Sequence, residues 1–257
     1  MAVMARTVLV TGAESGIGAA CAAAFGAEGD RVAIGYYADE DAAHASAAAV
    51  VAAGGDAMIV QCHVDSEQSV DRAFGAIEER WGEVSVLVNS AGRNMSGVLV
   101  RDMPLIQWQN LLSTDLTGAF LTSRRFLKVR GAGSTPAAII HISSIHAYAV
   151  RAGGADYCAA KGGLARLVET LAIEEAPNGV RVNAIAPGMI LTPMNAHAET
   201  DATYRQSLER NIPLGRAGNA DEVADLAVFL ASPKASYITG AQMVIDGGLS
   251  LMRGLGA

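Results

Sequence analysis

With 257 residues, 51% of them hydrophobic and 18% charged, the chain is long enough for one sizeable core and too apolar for intrinsic disorder. Its net charge of −7, with no basic run or basic helical face, argues against nucleic acid and acidic membranes as partners. Cys21, Cys62 and Cys158 are odd in number and widely spaced, which fits free thiols in a reducing, cytoplasmic setting better than a disulfide framework.

The N-terminal MAVMARTVLV lacks the apolar stretch of a signal peptide, and TVLV (7–10) reads as the first strand. TGAESGIG (11–18) follows directly and opens a helix over 16–28. Then come the strand RVAIGYY (31–37), a helix over 41–53, the strand AMIVQCHV (57–64), a helix over 67–80 and the strand VSVLVN (84–89). The uncharged run 131–150 contains Gly, Pro, His and Ser, so it reads as a loop plus the buried strand AAIIHIS (137–143), not a membrane span. A helix over 158–176 and the strands VRVNAIA (180–186) and AQMVID (241–246) complete the series. Continuous Val- and Ile-rich runs alternating with Ala-rich or amphipathic stretches predict a doubly wound, Rossmann-type α/β fold. It has a seven-stranded parallel sheet in a single domain over 1–257. The stretch 188–215 interrupts the alternation, carries Pro193 and Pro213, and reads as a lid over a site.

Glycines 12, 16 and 18 fall where a tight turn must bring a helix close under a ligand, and free N–H groups at that helix end suit a pyrophosphate. The spacing is G-x-x-x-G-x-G, not the commoner G-x-G-x-x-G. Tyr157 and Lys161, four apart in DYCAAKGG (156–163), share one face of a helix. Only three of the nineteen basic residues are lysine, and lysine is the cation suited to tuning a neighbour's proton affinity. A free tyrosine ionises near pH ~10, and an adjacent ammonium stabilises the phenolate. Such a tyrosine can take a proton from a substrate hydroxyl and return it in the reverse direction. The histidines form no metal-ligand spacing, so no metal site is expected.

With TGAESGIG, NSAG (89–92), Ser144, the Tyr157/Lys161 pair and APGMILTP (186–193) in that order, the chain resembles the short-chain dehydrogenases/reductases over nearly its whole length. The resemblance implies a small-molecule hydroxyl or carbonyl substrate and a nicotinamide cofactor. The cofactor would be held by Gly12, Glu14, Ser15, Gly16, Ile17 and Gly18 of the glycine loop, and by Tyr36 and Tyr37 at the end of the second strand. His63 and Val64, then Asn89, Ala91 and Gly92, and finally Pro187, Gly188, Ile190 and Thr192 would complete that site. Either His63 or Asp65 would meet the adenine, unless that contact is made by backbone. Tyr157 is then the catalytic acid/base, and Lys161 binds the nicotinamide ribose as well. The family spacing favours Ser144 over Ser143 as the hydroxyl that holds the reacting oxygen. Asp115 stands where relatives carry the Asn of a proton relay; it either holds the same water or bonds locally within its helix.

Glu14 and the acidic Asp39, Glu40 and Asp41 disfavour a 2′-phosphate, so NAD is expected, with NADP as the alternative. SSIH (143–146), VETLAIEEAP (168–177), LTPMNA (191–196) and ASYITG (235–240) are most similar to glucose 1-dehydrogenases. That similarity implies oxidation of an aldose at C1, with His146 and Asn195 as polar contacts to the sugar beside Ser144. A reductase of 3-oxoacyl thioesters and a non-catalytic binding protein are the alternatives. The resemblance also implies a homotetramer with helices around 104–130 and 155–176 paired across subunits.

Overall fold

A computed structural model describes residues 5–130 and 135–252. Residues 1–4 of the N-terminal reading, residues 131–134 at the start of the uncharged run, and the end of the domain at 253–257 lie outside the described residues.

The main sheet contains β1 (Thr7–Thr11), β2 (Arg31–Tyr36), β3 (Asp56–Gln61), β4 (Val86–Asn89), β5 (Ala137–Ile142), β6 (Val180–Pro187) and β9 (Gln242–Ile245). All pairings are parallel, in the order β3-β2-β1-β4-β5-β6-β9. A two-residue pair, β7 (Ile190–Leu191) with β8 (Gly218–Asn219), lies apart from it. The helices are α1 (Gly16–Ala27), α2 (Glu40–Ala53), α3 (Glu67–Trp81), α4 (Leu105–Leu112), α5 (Gly118–Lys128), α6 (Ala155–Glu175), α7 (Ala196–Thr200), α8 (Ala202–Glu209) and α9 (Ala220–Ala231).

Both sheet faces are covered, which is why the central strands are apolar over most of their length. Val8, Val10, Val32, Ile34, Val86 and Val88 pack with Phe25 of α1, Val50 of α2 and Leu230 of α9. The alternate residues Leu9, Ala33, Leu87 and Ile139 pack with Phe74 of α3, Phe126 of α5 and Val168 of α6. The order reverses direction between β1 and β4, where Val8 pairs with Val86. Ligands of such sheets bind at this point, beyond the carboxyl ends of the strands.

Several expected boundaries move for identifiable reasons. The run 57–64 pairs only to Gln61, because β3 has β2 as its sole partner and β2 stops at Tyr36. The acidic run 39–41 opens α2: Asp39 is the N-cap, its carboxylate accepting from the Ala42 N–H at 2.9 Å, and Glu40 and Asp41 occupy the first turn. These acids favour the positive helix end, and that accounts for them without a ligand. α6 begins at Ala155, three residues earlier than expected. The 188–215 stretch contains the short helices α7 and α8, with Asp201 capping α8 through the N–H groups of Thr203 and Tyr204. The three cysteines are unpaired, and burial pushes the Cys21 thiol up to about 12.

One polar network is sealed under the carboxyl end of β4 and β5. Thr122 donates to Asn89 Oδ1 at 2.7 Å, and Asn89 Nδ2 donates to His141 Nδ1 at 3.3 Å. The His141 proton therefore sits on Nε2, 3.5 Å from the Ser123 hydroxyl, which itself donates to the Ala119 carbonyl at 2.7 Å. His141 is fully buried, and burial, helped by the charge of Lys161, pushes its pKa down to about 3. An unfolded histidine protonates near pH ~6.5, so the unfolded chain takes up this proton first. Stability from the neutral ring is complete above that pH and falls as the pH drops towards 3, by about 1.4 kcal/mol per pH unit. Urea unfolding across this range should show a shallower acid slope for His141→Asn than for the parent chain. Equal slopes would show that His141 is not the group that titrates.

Candidate active site

A cleft of about 920 Å³ opens over the carboxyl ends of the central strands. Its floor begins with the glycine loop. Gly12 and Gly16 take positive φ values of 63° and 55°. A Cβ on Gly18 would lie 2.1 Å from the Gly12 carbonyl oxygen, and one on Gly12 would lie 2.7 Å from the Ala91 Cα. The loop therefore closes on itself and lies directly against the end of β4. Thr11 Oγ1 accepts from the N–H groups of Ser90 and Ala91, both at 3.2 Å, and ties the two strand ends across the switch point. Ser15, the N-cap of α1, makes no side-chain cap, so the first N–H groups of that helix are left for a ligand.

Glu14 turns from this loop towards the end of β2. Its Oε1 accepts from the Tyr37 N–H at 3.1 Å, while its Oε2 is buried without a partner. The Tyr37 carbonyl meets His63 Nε2 at 3.1 Å, and the two rings lie 4.7 Å apart. Glu14, Tyr37, Val64 and Asp65 line the cleft. Three expected contacts do not. Tyr36 points into the core beside β1, His63 packs on Tyr37 outside the cleft wall, and Asn89 lies below the floor in the His141 network. Asp65, not His63, is the side chain in the wall. The acids 39–41 also lie outside it.

At the other end Tyr157 and Lys161 share one face of α6, with the ammonium 5.3 Å from the phenol ring centre. Lys161 is 5% exposed and Asp115 2% exposed, and they pair at 3.1 Å. Asp115 stands in one π-helical turn, Ser113–Thr117, between α4 and α5. Its other oxygen accepts from the Arg93 N–H at 2.8 Å, so it bonds across to a neighbouring loop and not within its own helix. Lys161 also donates to the Ile142 carbonyl at 3.3 Å. Burial alone would lower the Lys161 pKa, but the charge and hydrogen bond of Asp115, together with Tyr157, raise it. Gly92 leaves room for the pair: a Cβ there would lie 3.0 Å from Asp115 Oδ2.

Ser144 caps the single 3₁₀ turn Ile145–Ala147, its Oγ accepting from the His146 N–H at 3.2 Å, and its hydroxyl hydrogen remains to be donated. The neighbouring Ser143 Oγ is buried without a partner. His146 Nδ1 donates to the Ala149 carbonyl, which leaves Nε2 as an acceptor, and its ring stands edge-on to Tyr157 at 6.1 Å. Asn195 lines the cleft but spends its amide N–H on the Ile190 carbonyl at 2.8 Å. Pro187, Gly188, Ile190 and Thr192 also line the cleft, with Thr192 beside the glycine loop, where a Cβ on Gly16 would lie 3.4 Å from the Thr192 Cβ.

Sequence reasoning missed Arg93, Met95, Arg151, Met189 and Tyr204, all of which line the cleft. Arg93 adjoins NSAG and Met189 lies inside APGMILTP, so position alone could have flagged both; Met95 and Arg151 lie in loops without a motif, and Tyr204 lies in α8. Among the described residues, no three His, Cys, Asp or Glu side chains cluster in a way that could hold a metal ion. No helix among them is long and apolar enough to cross a membrane.

A family model described as "Enoyl-(Acyl carrier protein) reductase" matches residues 12–250. The chain is 41% identical to 3beta-hydroxysteroid dehydrogenase 1 of Eggerthella lenta over 249 residues, 97% of this chain and 95% of the relative. It is 34% identical to glucose 1-dehydrogenase 2 of Bacillus subtilis over 246 residues, 96% of this chain and 95% of the relative. A short-chain dehydrogenase/reductase from Serratia marcescens superposes with a TM-score of 0.88 at 31% identity, over 95% of this chain and 98% of that one. With the glycine loop, the parallel sheet and the Ser-Tyr-Lys grouping, these likenesses establish that the chain belongs to the short-chain dehydrogenase/reductase family, whose members are NAD(P)-dependent oxidoreductases.

Proposed function

We propose that the chain interconverts a secondary ring alcohol and its carbonyl, with NAD preferred over NADP. The observation that carries the reaction is the grouping of Tyr157, Ser144 and the Lys161–Asp115 pair on one cleft wall.

The residues present fit the family's cofactor. The bare glycine loop would take the pyrophosphate, and Cβ atoms would fill that space. The buried, unpartnered Glu14 Oε2 supports a ribose hydroxyl as its donor and disfavours a 2′-phosphate. With 39–41 accounted for by the α2 cap, the NAD preference rests on Glu14. When bound, the nicotinamide supplies the acceptor or donor of hydride.

The chain's own residues handle the proton. Ser144 donates a hydrogen bond to the reacting oxygen. Tyr157 takes the proton of the substrate hydroxyl in oxidation and gives it back in reduction. Lys161, held charged by Asp115, favours the ionised phenol and would bind the nicotinamide ribose. The carboxylate of Asp115 works against part of that effect by adding a negative charge nearby. The stretch 188–215 acts as the lid, since Met189, Met194, Tyr204 and Leu208 reach the cleft from it.

The aldose reading is supported by the place of His146 and Asn195 in the wall and by the likeness to the Bacillus subtilis glucose dehydrogenase. A less polar ring alcohol is favoured by Met95, Met189, Met194, Leu208 and Leu249 in the same wall and by the likeness to the Eggerthella lenta steroid dehydrogenase. Apolar walls of this kind recognise an apolar body, so the geometry supports the second best. A homotetramer is supported by Leu105 and Ile106 of α4, Phe120 of α5 and Ile173 of α6, all large and exposed.

The deciding experiment follows reduced-nicotinamide absorbance with NAD or NADP against a panel of aldoses and alicyclic alcohols. Turnover with NAD and a ring alcohol is expected; a clear NADP preference would refute the assignment of Glu14. Tyr157→Phe should bind NAD as before and lose at least about a thousandfold in kcat. Near-native turnover would remove Tyr157 from the chemistry. Asp115→Asn should stay folded and active, with its oxidation pH–rate profile moved to lower pH. An unchanged or upward-shifted profile would leave Asp115 with no part in the proton transfer.

A further inference from the structure

The cleft is charged unequally along its length. Its carboxylates are Glu14 and Asp65 at the glycine-loop end, and Asp115, which is already paired with Lys161. The part of the wall made by residues 93–97, His146, Arg151, Met194, Tyr204 and Leu249 holds, among the described residues that line the cleft, no carboxylate and two arginines, Arg93 and Arg151. This is unexpected in a chain of net charge −7. Most of the structure's ordered arginines are spent on acids or carbonyls; Arg6 binds Asp30, Arg125 binds Glu78 and Arg216 binds Glu222.

Arg93 and Arg151 are not spent in that way. Among the described residues neither guanidinium has a carboxylate partner. Arg93 is nevertheless held in place. Its N–H bonds to Asp115 and its Nε donates to the Thr114 hydroxyl at 3.1 Å, which leaves the terminal nitrogens of the fork open. Arg151 lies on the neighbouring loop. The two loops touch backbone to backbone: Gly97 and Gly153 have φ values of 77° and 75°, and a Cβ on Gly153 would lie 2.6 Å from the Gly97 carbonyl oxygen. This contact joins the two arginine-bearing loops at the substrate end of the cleft.

We infer that the substrate is an anion: a ring alcohol or ketone carrying a carboxylate remote from the reacting carbon, received by Arg151 and Arg93. A guanidinium fork matches a planar carboxylate in geometry and charge. The apolar side chains that line the same cleft, among them Met95, Met194 and Leu208, would take the ring. Among the described residues no third unpaired cation lines this part of the cleft, which suits a single negative charge better than a phosphate dianion. The inference rests on the oxidoreductase reading and narrows its substrate.

The test is calorimetric binding to the NADH-saturated chain of three probes: a decalone carboxylate, its methyl ester, and the phosphate monoester of the matching hydroxy-decalone. Turnover is followed separately by nicotinamide absorbance, so a failure of the reaction is read apart from a failure of anion recognition. The acid should bind at least about tenfold more tightly than the ester, with the advantage shrinking as salt is added. Arg151→Gln should cut the acid-to-ester ratio about fivefold or more, and Arg93→Gln on top of it should cut it further. A ratio near one in the parent chain, including no detectable binding of either probe, overturns the inference. So does a ratio the variants do not change, or a loss of NADH affinity in place of acid affinity. Tighter binding of the phosphate monoester overturns the carboxylate assignment.

Discussion

A charged lysine under a protein surface needs a partner, and the active-site end of this fold is arranged around supplying one. Removing an ammonium and a carboxylate from water costs several kcal/mol each, and only close pairing with further hydrogen bonds offsets it. Lys161 receives Asp115 and the Ile142 carbonyl; Asp115 receives Lys161 and the Arg93 N–H. That requirement explains features that otherwise look unrelated. Residue 92 must be glycine-sized, the loop after β4 is fixed by its backbone, and the helix between α4 and α5 is wound wide where the carboxylate leaves it. An asparagine at 115 would offer Lys161 a dipole where the carboxylate offers a full charge. The aspartate makes the cation secure and sets a second charge beside the phenol.

Much of the frame can be read from the sequence, because strands buried on both faces are apolar over most of their length and the glycines mark the turn that only they can make. Which way a side chain points is harder to read. Tyr36 and Tyr37 are equivalent as a strand end in the sequence. The two-residue alternation sends Tyr36 into the core with Val32 and Ile34 and Tyr37 out to the cleft. Asn89, the last residue of β4, turns below the floor, while Ser90, Ala91 and Gly92 beyond the strand line it. Asp39, Glu40 and Asp41 look like a ligand site when read as charge, and the geometry shows that they serve a helix end.

The substrate half is the least legible part, for a physical reason. Its residues come from loops at 93–97 and 145–151 and from the 188–215 stretch, and no periodicity constrains them. Their proximity depends on contacts such as that between Gly97 and Gly153, which the sequence shows only as two glycines among 28. Arg93 and Arg151 are 58 positions apart in the chain, and that contact joins the loops that carry them. The glycine loop, NSAG and the Tyr157/Lys161 pair carry motifs; SSIH and APGMILTP reach the other end of the cleft, but neither includes Arg93 or Arg151.

The single π-helical turn at Ser113–Thr117 has a consequence for how the protein can vary. Such a turn amounts to one residue more than a regular helix needs, at the expense of well-aligned backbone hydrogen bonds. Deleting one residue there would restore an unbroken helix from α4 into α5 and would improve its backbone bonding. Because the wide turn takes up the extra residue locally, α4 and α5 would stay nearly in phase, and the change would fall on the turn itself, from which Asp115 reaches Lys161. The shorter chain would be the better helix and the poorer enzyme, so length in this segment is fixed by the site and not by the stability of the helix that contains it.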